Sequence, residues 1–311
     1  MRNHTAIITF ILLGLTDDPH LQILLFIFLL ITYLLSITGN LIILVITLVD
    51  ARLKTAMYYF LQNFSILEIL FTSVAIPRFL YSISTGDKTI TYYACAFQLF
   101  FVYLFGVTEF FLLATMSYDR YVAICKPLHY MTIMNHRVCR GLLFCCWVIT
   151  LLILIPAVSV VMGLEFCDNN ALDHFACDAD AIITMSCSDT QFIEKLIIIC
   201  AVFVLFATLM FVAWSYISII RTIFRFPSAQ QRKKAFSTCS SHMIVVSITY
   251  GSLIFIYVKP TGKDVMKINK GITLLATSIS PTISPFIYTL RNKQVIQALN
   301  DLGKKLLLSR N

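Results

Sequence analysis

The chain has 311 residues, of which 59% are hydrophobic and only 13% are charged. A soluble domain is nearer to half apolar and a quarter charged, so this composition excludes an ordinary soluble protein. The net charge of +8 does not indicate a nucleic-acid-binding protein, because no basic stripe is interleaved with aromatic residues on a polar surface. The charge is instead typical of the basic loops of a membrane protein.

Seven long apolar segments follow one another along the chain, separated by short polar loops. A helix of about 20 mostly apolar residues crosses the hydrocarbon core, and its backbone groups then bond internally. The apolar runs are continuous rather than alternating, which argues against a strand barrel. We therefore predict an all-α membrane protein, a seven-transmembrane helix bundle. Spans 1 to 7 are expected at residues 21–49, 56–82, 93–125, 139–163, 192–224, 235–258 and 269–290, with internal prolines at Pro77, Pro156, Pro281 and Pro285.

Short segments flank the bundle at both termini. Residues 1–20 form an N-terminal segment whose apolar stretch is too short to span a membrane, so no cleavable signal peptide is expected and span 1 serves as the insertion signal. Residues 291–311 form the C-terminal segment, in which 291–303 read as a short amphipathic helix on the inner membrane surface. Its apolar positions are Val295, Ile296, Leu299 and Leu302.

The distribution of Lys and Arg predicts the orientation of the bundle. These residues concentrate on the side that carries the C-terminus, which indicates a cytoplasmic C-terminus and an extracellular N-terminus in the plasma membrane. Asn3 begins a glycosylation sequon on the predicted outer side. Four cysteines, Cys95, Cys167, Cys177 and Cys187, also fall outside and are expected to form disulfides. The other six are expected to be free thiols: Cys125, Cys139, Cys145, Cys146, Cys200 and Cys239.

Charged residues inside the spans are the first candidates for a functional site. Asp119 and Arg120 stand together at the inner end of span 3, where a charge is costly unless it is paired. An arginine that only extends towards the membrane surface is the alternative interpretation. Glu68 and Glu109 are the acidic residues deep in the bundle. They are either protonated and hydrogen-bonded, or they share a sodium ion, because oxygen ligands suit hard cations. No other cofactor is expected.

Residues 116–130 around Arg120 read MSYDRYVAICKPLHY, and this run closely resembles the helix-3 signature of odorant receptors, a large branch of the rhodopsin-like G-protein-coupled receptors. The resemblance covers nearly the whole chain and departs from the family pattern at Ala56, where proline is usual, and at Ser284, where asparagine is usual. These departures bear on surface expression and on the switching of helix 7. The matching segments are Gly39-Asn40, 53–61 (LKTAMYYFL), 116–130 (MSYDRYVAICKPLHY), 234–242 (KAFSTCSSH) and 281–292 (PTISPFIYTLRN).

The resemblance implies a receptor that binds a small volatile ligand and activates a stimulatory, olfactory-type heterotrimeric G protein. Arg120 is then the switch residue of the Asp119-Arg120-Tyr121 motif, Asp119 restrains it at rest, and Tyr216 and Tyr288 stabilise the active arrangement. The ligand pocket is expected between spans 3, 5, 6 and 7 and contains no charged residue. Its candidate residues are Tyr103, Gly106, Val107, Cys200, Val204, Tyr250, Leu253, Ile254, Tyr257 and Thr277.

The resemblance also bears on the outer cysteines, for which the residues alone leave three pairings open. In rhodopsin-like receptors one bridge ties the top of helix 3 to the middle of the following outer loop. This implies Cys95–Cys177 and leaves Cys167 to pair with Cys187.

Other functions are less well supported by the sequence. A rhodopsin-like receptor for another small ligand is the first alternative. A transporter is disfavoured by the absence of repeat symmetry, and an intramembrane enzyme by the absence of His-Glu-x-x-His and Gly-x-Ser-x-Gly motifs. Ser278 stands at the level where a retinal-binding protein carries its lysine, so a photoreceptor is not expected.

Overall fold

The computed structural model describes residues 9–166, 170–257, 265–290 and 292–308. Seven long helices form the bundle, and shorter helices and strands lie at its ends. In chain order the helices are α1 (Pro19–Val49), α2 (Ala56–Thr85), α3 (Tyr92–Cys125), α4 (Tyr130–Ile133), α5 (His136–Met162), α6 (Ala179–Met185), α7 (Gln191–Phe224), α8 (Ala229–Tyr257), α9 (Val265–Leu290) and α10 (Lys293–Leu308). The strands are β1 (Thr9–Leu12), β2 (Thr89–Thr91) and β3 (Ala171–Leu172).

The predicted seven-helix bundle is confirmed, with spans 1 to 7 present as α1, α2, α3, α5, α7, α8 and α9. Among the described residues, α1, α2, α3, α5 and α7 are long and apolar enough to cross a membrane by length and composition. Helices α8 and α9 are more polar and pack against each other inside the same bundle, where α9 also contacts α1 and α2. Helix α8 begins at Ala229, earlier than residue 235, because the basic segment 232–234 continues the helix beyond its apolar part.

Local sequence signals explain where the helices begin and end. Asp18 caps α1 by accepting a hydrogen bond from the His20 backbone at 2.8 Å, and Pro19 occupies the first turn, where no amide partner is needed. Asn135 caps α5 in the same way. Helix α2 ends at Thr85 and is capped by Gly86, whose φ of 73° is a left-handed conformation that favours glycine.

Helices α1 and α9 approach closely at Gly39, where an added Cβ would lie 2.9 Å from Pro285 Cγ. Pro285 has no amide hydrogen, so the carbonyl of Pro281, four residues earlier, lacks its helical donor. The Ser36 hydroxyl and the Asn40 side-chain amide donate to that carbonyl at 3.2 and 3.4 Å. The small residue and the two polar groups of α1 thus accommodate the proline of α9.

A small sheet lies at one end of the bundle, called the sheet end below. Strand β1 is central and pairs antiparallel with β2 and parallel with β3. Phe10 and Leu12 of β1 are buried in an apolar cluster with residues of α3, α5 and α6. This sheet is not predictable from the sequence, because strands of four, three and two residues are too short to show periodicity.

Helix α10 lies at the opposite end, called the switch end below, and is longer than the predicted 291–303. Arg52 forms an ion pair with Asp301 at 2.7 Å, and the Tyr58 hydroxyl donates to Gln294 at 2.9 Å. Of its four predicted apolar positions, Ile296 is exposed, whereas the other three pack on the main core cluster: Val295, Leu299 and Leu302. Part of the apolar face therefore covers the bundle rather than only the membrane surface.

Candidate functional site

The central members of the predicted pocket lie in one continuous apolar cluster. Val204 and Tyr250 are buried in it, and Tyr103 and Val107 are partly buried against it. The ring of Tyr250 meets that of Phe110 edge-on, with centroids 5.1 Å apart. The structure thus brings together candidate residues from α3, α7 and α8.

The remaining candidates are more dispersed. Gly106 faces α2, since an added Cβ would lie 3.7 Å from Phe71 Cε2. Thr277 is half-buried and its hydroxyl donates to carbonyls of its own helix. Cys200 is half-buried, and Ile254 is 42% exposed. The side chains of Leu253 and Tyr257 lie outside the described residues. The pocket assignment of all ten residues stays a prediction.

The loop between α5 and α7 is fastened to α3 beside the pocket. The predicted disulfide Cys95–Cys177 is confirmed. Gln98 accepts a hydrogen bond from the Cys177 backbone at 3.0 Å, and the Tyr103 hydroxyl donates to Asp178 at 3.1 Å. Cys187 is also disulfide-bonded, but Cys167 lies outside the described residues, so their pairing stays a prediction.

A second attachment joins this loop to α9. Lys270 is buried and forms an ion pair with Asp173. His174 stacks on Phe175 with ring centroids 4.4 Å apart. Burial lowers the pKa of His174 below its usual value, against the opposing charge of Asp178. The loop is therefore fixed to two helices of the bundle by covalent, polar and ionic contacts.

The six cysteines predicted as free thiols are unpaired. The sequon residue Asn3 lies outside the described residues, so its glycosylation stays a prediction.

At the switch end, Asp119 and Arg120 form a buried ion pair. Asp119 is fully buried, and its Oδ2 lies 2.9 Å from Arg120 Nε. The second carboxylate oxygen accepts a hydrogen bond from the Tyr130 hydroxyl at 2.7 Å. Both oxygens of the carboxylate thus have partners, which a buried charge requires.

Tyr216 of α7 and Tyr288 of α9 are buried, and both belong to the main apolar cluster around this pair. The Tyr216 hydroxyl lies 2.5 Å from His242 Nδ1, and Arg120 interacts electrostatically with both tyrosines and with His242. The Tyr288 hydroxyl is buried without a hydrogen-bond partner among the described residues. Such a group is free to take a new partner when the helices rearrange.

Tyr121, in contrast, points away from the ion pair. The centroid of its ring lies 4.9 Å from that of Trp214 in α7 and 6.2 Å from that of Tyr118. Lys126 Nζ lies 6.0 Å from the same centroid. Arg120 and Tyr121 are adjacent in a helix, so their side chains point about 100° apart. The ion-pair contacts of the motif are therefore those of Asp119 and Arg120.

The two predicted acids lie near mid-bundle, with Glu68 buried and Glu109 half-buried. Glu68 is 1% exposed, and neither of its carboxylate oxygens has a hydrogen-bond partner among the described residues. Glu109 accepts a hydrogen bond from Thr249 at 3.3 Å and interacts electrostatically with Glu68. The nearby α2 residue Ser65 also has an unpartnered hydroxyl. An all-oxygen set with orphaned acceptors fits a hard cation such as sodium.

Within the described ranges, no three His, Cys, Asp or Glu side chains lie together in a way that could hold a metal ion, so no ligand set typical of a transition metal is present there.

Comparison with known proteins assigns the family. The olfactory receptor family profile matches residues 28–306. Human olfactory receptor 6C2 is 66% identical over 306 residues, which are 98% of each chain, and human olfactory receptor 6C75 is 56% identical over the full length of both chains. The chain belongs to the olfactory receptor family. It is a multi-pass membrane receptor, not an enzyme, and as is general for this family it binds odorants and couples to G proteins.

A solved structure supports the same fold. Squid rhodopsin superposes with a TM-score of 0.75 at 17% sequence identity, covering 92% of this chain and 81% of the other. At this identity the likeness bears on the bundle alone.

Two side-chain contacts of this olfactory receptor are not among those predicted from its sequence. Tyr130 stands inside the quoted helix-3 segment, but its bond to Asp119 depends on the turn that brings it back over 11 residues. Asp178 follows a loop cysteine, and its contact with Tyr103 depends on the disulfide beside it. The signal that could have indicated the second contact is an acidic residue next to a cysteine that is expected to form a disulfide.

Proposed function

We propose that this receptor binds a small, neutral and largely apolar odorant between α3, α7, α8 and α9, and activates a stimulatory G protein of the olfactory type. The observation that carries the proposal is the single packed cluster that contains Val204 and Tyr250 as well as Tyr216 and Tyr288. Close-packed protein cores transmit displacements, because they shift between discrete arrangements rather than deform continuously. A ligand that reorders the pocket therefore biases the helix packing around Arg120.

The polar groups of the pocket support a weakly polar ligand. The Tyr103 hydroxyl is bonded to Asp178, and the Thr277 hydroxyl is bonded within its own helix. Among the apolar candidates, Val204 is buried in the main core cluster and Val107 packs against it. An amine or a nucleotide would lack a free counter-charge here, whereas a volatile molecule with one hydrogen-bonding group would need none.

Filling the pocket tests its position. Val204 is buried in α7, whereas Val202 is 57% exposed on the same helix. Val204→Phe should raise the odorant concentration for half-maximal cyclic-AMP production at least about tenfold, as expected for about 1.4 kcal/mol of lost binding. Val202→Phe is the matched control and should behave as the unmodified receptor. Equal responses of both variants at equal surface level would place the ligand elsewhere.

The proposed orientation puts the sheet end outside the cell and the switch end in the cytoplasm, with the receptor in the plasma membrane. The disulfide Cys95–Cys177 supports it, because disulfides persist in oxidising compartments. The excess of basic residues at the other end supports it as well. An N-terminal epitope tag should be stained by antibody on intact cells. Staining that requires permeabilised cells would contradict this orientation.

We also propose that sodium binds between Glu68 and Glu109 and favours the resting packing. Two carboxylates in a buried site are costly unless they are protonated or share a cation. The cation would supply positive charge to both groups, and the oxygen of Ser65 is available as a further ligand. The melting temperature of the purified receptor should be higher in sodium than in potassium, and Glu109→Gln should remove this difference. A melting temperature that is equal in the two salts would reject the site.

A further inference from the structure

A partly exposed aromatic surface lies between α3 and α7 near the switch end. It consists of Tyr118 and Tyr121 of α3 and Phe211 and Trp214 of α7, and it is called the α3–α7 aromatic surface below. Neighbouring rings are in contact, with centroids 4.9 Å apart for Tyr121 and Trp214 and 5.9 Å apart for Phe211 and Trp214. Phe211 is 41% exposed and Trp214 is 49% exposed. The surface therefore faces the lipid rather than the interior of the bundle.

Two exposed cations border this surface at the switch end. Lys126 Nζ lies 6.0 Å from the centre of the Tyr121 ring. Cys125 Sγ lies 3.1 Å from Thr222 Oγ1, so Lys126 stands beside the turn of α7 that contains Arg221. Arg221 follows Trp214 by seven residues, which is two helical turns, or roughly 10 Å further along the same face.

The charge of this surface is positive only. The acidic residue of the segment 118–126 is Asp119, which is buried and bonded to Arg120 and Tyr130. Helix α7 has its acidic residue, Glu194, in the first turn at the far end. The side chains that face the lipid here are thus aromatic rings towards the middle of the bundle and cations towards the switch end.

This combination matches the two parts of an anionic phospholipid. Aromatic rings provide a rigid apolar surface for acyl chains, and a lysine and an arginine provide donors for a phosphate. An ordinary interfacial belt needs aromatic rings at this depth but does not need cations from two helices on the same face. The cytoplasmic leaflet is rich in anionic lipids, which attract each nearby Lys or Arg by about 1 kcal/mol.

We propose that the α3–α7 aromatic surface binds an anionic glycerophospholipid, with its phosphate between Lys126 and Arg221 and its acyl chains over Tyr121 and Trp214. The assignment to the cytoplasmic leaflet rests on the proposed orientation. The binding itself does not, so a symmetric bilayer tests it separately from the proposed function.

Trp214 supplies the probe for this test, because the chain has two tryptophans. Trp147→Phe leaves Trp214 as the fluorescent group. The purified full-length receptor is placed in nanodiscs that contain increasing fractions of acyl-brominated phosphatidylserine or acyl-brominated phosphatidylcholine. Phosphatidylserine should reach half-maximal quenching at about a thirtyfold lower mole fraction, the preference that about 1 kcal/mol of attraction from each of the two cations gives.

Two further receptor variants show which residues cause the preference for phosphatidylserine. In the background of Trp147→Phe, the pair Lys126→Gln and Arg221→Gln should make both lipids quench equally. Lys54→Gln, which removes an exposed cation between α1 and α2, should leave the preference unchanged. The ratio of the two lipids is read within each preparation, so a lower yield of folded protein does not affect it. Equal quenching in the parent, or a preference that survives in the double variant, would overturn the proposal.

Discussion

At the scale of single residues, the switch end depends on one shared carboxylate. Asp119 pairs with Arg120 through one oxygen and with the Tyr130 hydroxyl through the other. Hydrogen bonds to charged groups contribute about 1.5–3 kcal/mol, roughly twice the value for neutral pairs. Tyr130 therefore helps to hold Asp119 in the position that restrains Arg120.

Tyr130→Phe removes this hydrogen bond and leaves the ring in place. Losing about 1.5 kcal/mol of resting-state stabilisation shifts the balance between resting and active packing roughly tenfold. We expect cyclic-AMP production without odorant to rise severalfold. Tyr33→Phe is the control, because it loses a neutral hydrogen bond to Ser73 in the α1–α2 contact. Unchanged or lower basal production by Tyr130→Phe at matched surface level would show that Tyr130 does not restrain the switch.

Gly39→Ala tests the contact between α1 and α9. The new Cβ would lie 2.9 Å from Pro285 Cγ, which is closer than real contacts allow, and overpacking typically costs about 1–3 kcal/mol. This exceeds the gain of about 0.5–1 kcal/mol from replacing a helical glycine. We expect a lower melting temperature of the purified receptor. Gly141→Ala, which meets no atom within 4 Å, should melt at the same or a higher temperature; if both variants behave alike, the close approach has no energetic effect.

The sequence predicts some of these residues and not others, for physical reasons. Asp119 and Arg120 are recognisable because an adjacent acid and base at a helix end must be paired. Tyr121 belongs to the same motif, and its outward direction follows from the 100° step between neighbours in a helix. The bond from Tyr130 depends on a loop conformation that has no periodic signature. The Ser284 hydroxyl bonds to the Ser280 carbonyl of its own helix, a contact that the substitution for asparagine did not reveal.

At the scale of elements, the loop that carries β3 and α6 is fixed to the bundle from two sides. The disulfide and Asp178 fasten it to α3, and the ion pair of Asp173 with Lys270 fastens it to α9. Long loops without such attachments are mobile. The helices were predictable to within a few residues because lipid forces long apolar runs, whereas the sheet and the loop depend on contacts between distant segments.

The buried His174 makes this loop sensitive to acid. Burial lowers its pKa in the folded receptor, so between the folded value and the unfolded value near 6.5 the unfolded chain binds more protons. The contribution of neutral His174 is thus present above pH 6.5 and is lost as the pH falls through the folded pKa. Asp173, Asp178 and Lys270 are the charged groups that act on it.

We expect the melting temperature of the purified receptor to fall between pH 7.5 and pH 5.5. His174→Gln should make this fall smaller, because the glutamine does not titrate. His136→Gln is the control, since His136 is exposed at the start of α5 and should leave the pH dependence unchanged. A fall of the same size in His174→Gln as in the unmodified receptor would contradict the role of His174.

At the scale of the whole molecule, one apolar cluster runs from the candidate pocket to the switch end. Within the part of the chain that the structure describes, it is accompanied by buried polar atoms without hydrogen-bond partners, among them the carboxylate oxygens of Glu68 and the hydroxyl of Tyr288. Unsatisfied buried groups raise the free energy of the packing that contains them, which favours any alternative packing that satisfies them. The family and topology were predictable from motifs and hydropathy. The odorant was not, because pocket residues such as Val107 and Val204 have the composition of ordinary helix packing.

The central claim is that odorant binding reaches a G protein through Arg120. Cells expressing the receptor are exposed to a panel of volatile compounds, and cyclic AMP is measured for the unmodified receptor, for Arg120→Ala and for Arg140→Ala at equal surface level. Arg140 is exposed on α5 at the same end of the bundle and controls for the loss of a basic side chain. We predict a response of the unmodified receptor and of Arg140→Ala to the same compounds, and none of Arg120→Ala. A full response of Arg120→Ala would contradict the account.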